Sequence, residues 1–208
     1  MKSLLKASLT LAAFVLMMGV TANTARADLV TFSTSGTFSG GSAGGTNMTT
    51  FGSGANTTTL SFAGAASQTL NTPTNANFGD IVTSSTGAGA ALSGNLTINI
   101  MQTAPTAGTG NLVGTLSGMV ATNQSTGQVT FTTTAVVING FTYTVRPMFD
   151  IVPPISGEGG TATPGTTTIQ GQVTGAPIPE PATMLLLGTG LAGLAARARR
   201  RREASGDE

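Results

Sequence analysis

Leu92-Ser93-Gly94-Asn95-Leu96-Thr97-Ile98-Asn99-Ile100-Met101-Gln102 is the stretch that decides the fold class. Leu92, Leu96, Ile98 and Ile100 alternate with Ser93, Asn95, Thr97 and Asn99. Successive side chains of a strand point to opposite faces, so this alternation buries one face and wets the other. A helix would instead space its apolar residues three or four apart.

The same pattern recurs outward from this stretch. Val30, Phe32 and Phe38 share a parity within Leu29 to Ser39, as do Leu60 and Phe62 within Thr57 to Ala63. Leu116 and Val120 continue it in Leu112 to Val120, and a last strand is expected around Ile169 to Val173. Turn residues separate the segments, and nothing between residues 28 and 176 keeps a helical spacing. The expectation is an all-β chain: one antiparallel β-sandwich or jelly-roll-like domain over residues 28–175. Gly40 to Gly54 and Gly157 to Gly165 read as Gly/Ser/Thr-rich loops.

The sharpest local expectation is a hairpin at Ile138-Asn139-Gly140-Phe141, because Asn-Gly suits a type I′ turn. Ile138 then faces Phe141, Val136 faces Tyr143 and Thr134 faces Val145. Val129 and Phe131 have the opposite parity to Val136 and Ile138. Either a bulge near Thr132-Thr133-Thr134 switches the face or the strand is buried on both sides, the bulge being the preferred reading.

The whole chain carries a formal charge of +1, but its cations sit at the ends. Between Asp28 and Ala176 the only cation is Arg146, against Asp28, Asp80, Asp150 and Glu158, so the net there is 1 − 4 = −3. One arginine cannot make the several phosphate contacts of a nucleic-acid groove, so no nucleic-acid partner is expected. These 149 residues suffice for one domain with a core, and without cysteine its stability must come from apolar burial and sheet hydrogen bonds.

Residues 1–27 read as a secretory signal peptide, expected to be helical. Lys2 and Lys6 give a positive start, Leu9 to Val20 an apolar segment, and Ala25-Arg26-Ala27 a cleavage site for signal peptidase. The other end, residues 176–202, has three parts in fixed order. Pro179-Glu180-Pro181 is held extended by its prolines. Ala182 to Ala196 is an apolar run interrupted only by Thr183 and Thr189 among hydroxyl residues, and is expected to be a transmembrane helix. Its length as a helix is roughly 22 Å, short of the ~30 Å hydrocarbon core; snorkelling arginines and local thinning close that gap. Arg197, Arg199, Arg200, Arg201 and Arg202 follow and keep that flank cytoplasmic. Glu203 to Glu208 form an acidic trailer.

Ile178-Pro179-Glu180-Pro181-Ala182-Thr183, the Gly-Leu-Ala-Gly-Leu-Ala stretch and the arginine run together resemble the PEP-CTERM sorting signal. The resemblance covers about residues 177–202. Ile178 stands where valine is usual, and the acidic trailer runs past the usual arginine end. The resemblance implies an exported protein of exopolysaccharide-producing bacteria. It also implies an exosortase-like enzyme that removes the tail from an inner-membrane precursor, leaving the domain at the cell surface or outside the cell.

Catalytic expectations are few. No His or Cys occurs in the chain, which closes Ser–His and Cys–His arrangements and a typical zinc site. Asp80, Asp150 and Glu158 are the candidates for a glycosidase pair, though Asp80 and Asp150 read better as strand ends or turn caps. No Asp-x-Asp spacing suggests calcium. Neither cofactor nor metal is expected. The domain is read as a non-catalytic surface or matrix protein within exopolysaccharide; a carbohydrate-binding module is the alternative and a glycosidase-like enzyme the remote one. Tyr143 and the eight phenylalanines of the domain fall on apolar strand faces and are read as core rather than as a sugar platform. Four glycosylation-like sequons, beginning at Asn47, Asn56, Asn95 and Asn123, are what a Thr-rich chain produces by chance.

Overall fold

The computed structural model describes residues 28–42, 44–157, 162–175, 188–191 and 193. Strand makes up 68% of these against 3% helix, which settles the all-β class. The described residues between 28 and 175 belong to one compact unit.

The strands, in chain order, begin with β1 (Leu29–Ser39), β2 (Met48–Ser53), β3 (Asn56–Ala63), β4 (Gln68–Asn71), β5 (Thr74–Thr86) and β6 (Ala90–Ala91). Then come β7 (Asn95–Ala104), β8 (Gly108–Ser117), β9 (Met119–Ala121), β10 (Gln124–Ser125), β11 (Gln128–Phe131) and β12 (Ala135–Ile138). The last are β13 (Phe141–Val145), β14 (Met148–Asp150), β15 (Ile155–Ser156), β16 (Ala162–Thr163) and β17 (Gly165–Gly175). Two curled six-stranded antiparallel sheets carry most of them. Sheet I runs β14-β11-β8-β7-β1-β4, and sheet II runs β12-β13-β17-β5-β3-β2. A small sheet, β10-β9-β6, and the pair β15-β16 complete the set.

The inward faces of both sheets meet in one apolar cluster. β7 supplies Leu96, Ile98 and Ile100, each fully buried, while Thr97 and Asn99 between them are half-buried and Asn95 and Met101 on either side are exposed. β1 adds Val30, Phe32 and Phe38 from the same sheet. Sheet II answers with Leu60, Phe62, Phe78, Ile81, Tyr143, Ile169 and Val173. Full burial of each such side chain contributes about 1.5–3 kcal/mol relative to exposure, so this cluster is the principal stabilising term of a domain without disulfides. Phe32 and Tyr143 meet edge to face at 5.1 Å, with Phe78 6.0 Å from Phe32, at the centre of the cluster.

β5 is the longest strand and changes face midway. Asn75 and Asn77 point outward before the switch, Ser84 and Thr86 after it. The cause is a bulge against β17: Thr168 pairs with Asp80 but Gln170 pairs with Asn77, so Phe78 and Gly79 together oppose Ile169. Gly79 has φ +127°, and a Cβ there would lie 2.4 Å from the Phe62 ring. Only glycine allows both the backbone turn and the close approach of that ring.

Several sequence expectations meet their outcome here. The hairpin forms with the anticipated register, Ile138 opposite Phe141 and Val136 opposite Tyr143. Asn139 and Gly140 take φ of 48° and 87°, as a type I′ turn requires. The expected bulge near Thr132 to Thr134 is corrected. Val129 and Phe131 lie on β11 in sheet I, whereas Val136 and Ile138 lie on β12 in sheet II. The chain crosses between sheets at Thr132 to Thr134, and each strand points its own parity into the shared core. Gly40 to Gly54 is not all loop, since β2 pairs with β3 from Met48 to Ser53 and buries Phe51. The final strand is longer than expected, from Gly165 to Gly175. The proposed signal helix falls outside the described residues. Of the proposed transmembrane helix, only residues 188–191 and 193 are described; they are helical, and no described helix is long and apolar enough to cross a membrane.

Candidate functional site

The residues assigned to sorting and processing, Ala25, Ala27, Ile178, Pro179, Glu180, Pro181, Ala182, Thr183, Arg197 and Arg199 to Arg202, lie outside the described residues. The candidate carboxylates are placed as follows. Asp80 sits in the middle of β5 in sheet II, not at a strand end, because β5 continues to Thr86. Asp150 ends β14 at the edge of sheet I, where its Oδ1 accepts a hydrogen bond from Gln128 Nε2 at 3.1 Å. Glu158 lies outside the described residues. Asp80 and Asp150 are thus on different sheets, and no cluster of three or more metal-ligating side chains occurs among the described residues. Asp80 Oδ1 and Thr83 Oγ1 are buried without a hydrogen-bond partner among the described residues.

All eight phenylalanines of residues 28–176 are buried, from Phe32 and Phe78 at 0% to Phe141 at 6% exposure. Tyr143 is also fully buried, and its hydroxyl donates to Gln102 Oε1 at 2.8 Å. Gln102 Nε2 in turn donates to the Thr106 carbonyl, so both polar groups are satisfied inside the core. Burial pushes the Tyr143 phenol up to about 12, because the charged phenolate cannot be solvated there. Every aromatic ring of the domain therefore packs inside, which leaves none to stack on a sugar.

The outer faces present many hydroxyls and amides, among scattered exposed apolar side chains such as Met48, Met101, Val137 and Met148. Thr50 and Thr59 share a hydrogen bond at 2.9 Å across β2 and β3, and Thr57 and Thr86 one at 2.8 Å across β3 and β5. On sheet I, Thr31 meets Thr69 at 2.9 Å and Asn99 Nδ2 donates to Asn111 at 2.8 Å. These are cross-strand pairs set directly by register. On sheet II an open depression of about 460 Å³ is lined by Asn75, Thr144, Val145, Arg146, Gln170, Gly171 and Gln172. Thr144 stands opposite Gln172 and Gln172 opposite Asn75, so three neighbouring strands form one polar row. Arg146 stacks its guanidinium over Phe149 at 4.8 Å to the ring centroid. Sequence reading singled out Arg146 as the lone cation but missed this depression. Its amides come from β5 and β17, which become neighbours only through the sheet pairing.

A proline-flanked apolar segment followed by an arginine run is the arrangement of a C-terminal sorting signal. Residues 177–201 match the family model of the PEP-CTERM protein-sorting motif, and the chain carries that signal. A PEP-CTERM signal implies export, a membrane-anchored precursor and processing by an exosortase-type enzyme. No family matches the domain that precedes the motif. No curated protein and no solved structure matches the chain.

Proposed function

We infer that the domain is a non-catalytic surface or matrix component, delivered by its tail and embedded in exopolysaccharide. The observation that carries this reading is the chemistry of its exterior: registered Thr–Thr and Asn–Asn pairs on the two sheets, with very few charges and scattered single apolar side chains such as Met48, Met101, Val137 and Met148. Such faces exchange hydrogen bonds with hydrated polyols and make no strong electrostatic demand on a partner. A single cation gives no support to nucleic-acid binding. Two facing sheets over one core support a β-sandwich spanning residues 28–175. Signal peptidase would cut after Ala27 and leave the domain to fold outside the cytoplasm.

The tail reading follows from order along the chain. Ala182 to Ala196 halts in the inner membrane, with Arg197 and Arg199 to Arg202 held at the cytoplasmic face, since a charge is costly to move through the bilayer core. Pro179-Glu180-Pro181 is left at the outer interface, where Glu180 supplies a charge and the prolines a fixed extended shape for the exosortase-type enzyme. Deleting the gene and comparing cell surface and biofilm tests the matrix role; unchanged surface material and adhesion would contradict it. A carbohydrate-binding module is the second reading, favoured by the polar depression on sheet II. A glycan array with the purified exported protein separates the two, because one tight, saturable ligand would favour the module.

A further inference from the structure

We propose that the depression on sheet II is a binding site for an acidic sugar, a hexuronate unit whose carboxylate pairs with Arg146 and whose hydroxyls bond to Asn75, Gln170 and Gln172. Arg146 is the only Lys or Arg between residues 28 and 176. It makes no ion pair with a carboxylate among the described residues, although the domain has an excess of negative charge. Phe149 beneath the guanidinium limits its orientations while leaving its donors free for a carboxylate, which matches that planar fork with two parallel hydrogen bonds.

The amides around it are unspent. The side chains of Asn75, Gln170 and Gln172 have no hydrogen bond to any described residue. Other exposed amides, Asn47, Asn71, Asn95 and Gln124, likewise have no side-chain hydrogen bond to a described residue, but these three converge on the one cation of the domain. Gln170 and Gln172 are two apart on β17 and so share a face, and Asn75 faces Gln172 across the ladder. Strand spacing and the two-residue repeat put these groups roughly 5–7 Å apart, the spread of hydroxyls around a sugar ring. Each amide can donate to one hydroxyl and accept from another. The depression, about 460 Å³ and open to solvent, has room for one sugar unit lying on the sheet. A neutral sugar would leave Arg146 unpaired, and a simple anion would leave the amides unused. The two together select a polyol that bears a carboxylate.

This site deepens the carbohydrate-binding reading above, and exopolysaccharide is its source of ligand. The test is titration calorimetry of the purified exported protein with tetragalacturonate and with cellotetraose. Tetragalacturonate should bind saturably, about tenfold or more tighter than cellotetraose, and should weaken as salt is added. Arg146→Gln should remove that preference, while Gln172→Ala weakens binding several-fold with unchanged thermal unfolding. Arg146→Lys, which keeps the charge and the stem over Phe149, should restore only part of it. Equal affinity for both tetrasaccharides, no binding of tetragalacturonate, or wild-type binding by both Arg146→Gln and Gln172→Ala would overturn the site. None of those results touches the matrix role, which stands or falls on the deletion phenotype.

Discussion

The domain and the tail of this chain are specified in different ways. In the domain, meaning lies in what is buried against what: Phe62 against Gly79, Phe32 against Tyr143, Gln102 against the Tyr143 hydroxyl. Few of those pairs are near in sequence. In the tail, meaning lies in linear order: prolines and an acid, then an apolar run, then arginines, matched over residues 177–201. The difference teaches that the delivery of this protein is written locally while its fold is written at long range. A single substitution should therefore disturb one and spare the other.

The largest expected effect on the domain comes from Gly79→Val. It places a branched side chain at φ +127° and drives it into the Phe62 ring, so it should cost about 3 kcal/mol or more and leave little folded protein. Proteolysis of the exported fraction is the measurement. Ile98→Ala, which opens a cavity under a fully buried position, should cost about 2–5 kcal/mol in denaturant unfolding. Survival of either variant at wild-type stability would break the claim that the domain is specified by its core.

A smaller effect belongs to Tyr143. Its phenol titrates near 10 when unfolded and near 12 when folded, so above pH 10 the unfolded chain loses a proton that the folded one keeps. The Tyr143 contribution should be constant below pH 10 and fall by roughly 2–3 kcal/mol as pH rises from 10 to 12. Tyr143→Phe should flatten that slope, at a cost of about 1–3 kcal/mol for leaving Gln102 Oε1 unsatisfied. Thr50→Ala, which removes one outer hydroxyl pair, should change stability by less than about 1 kcal/mol. A large loss there would mean that the polar exterior is a structural element rather than an interaction surface.

Legibility followed the same division. β7 was readable because it keeps one parity over its whole length, so its buried set is periodic in the sequence. β5 was not, because the bulge at Phe78-Gly79 shifts the inward set from Ala76 and Phe78 to Ile81, Thr83 and Ser85. Its pattern cancels itself when read straight through. β2 was hidden among glycines, with Phe51 its only buried apolar side chain. The parity conflict between Phe131 and Val136 was visible, but the sequence could not say that two sheets shared the strands. The tail motif needed no folding to be read. The depression on sheet II was illegible for the opposite reason: Asn75 and Gln172 are almost a hundred residues apart and meet only through register.

Mass spectrometry of the mature exported protein, beside that of a Glu180→Ala variant, tests the sorting account most directly. The account predicts a wild-type chain that begins at Asp28 and lacks Leu185 to Ala196. It predicts that the Glu180→Ala chain stays in the inner membrane with the tail intact and its domain folded. An exported protein that still carries Leu185 to Ala196, with the Glu180→Ala variant processed like wild type, would contradict it and make the tail a plain anchor.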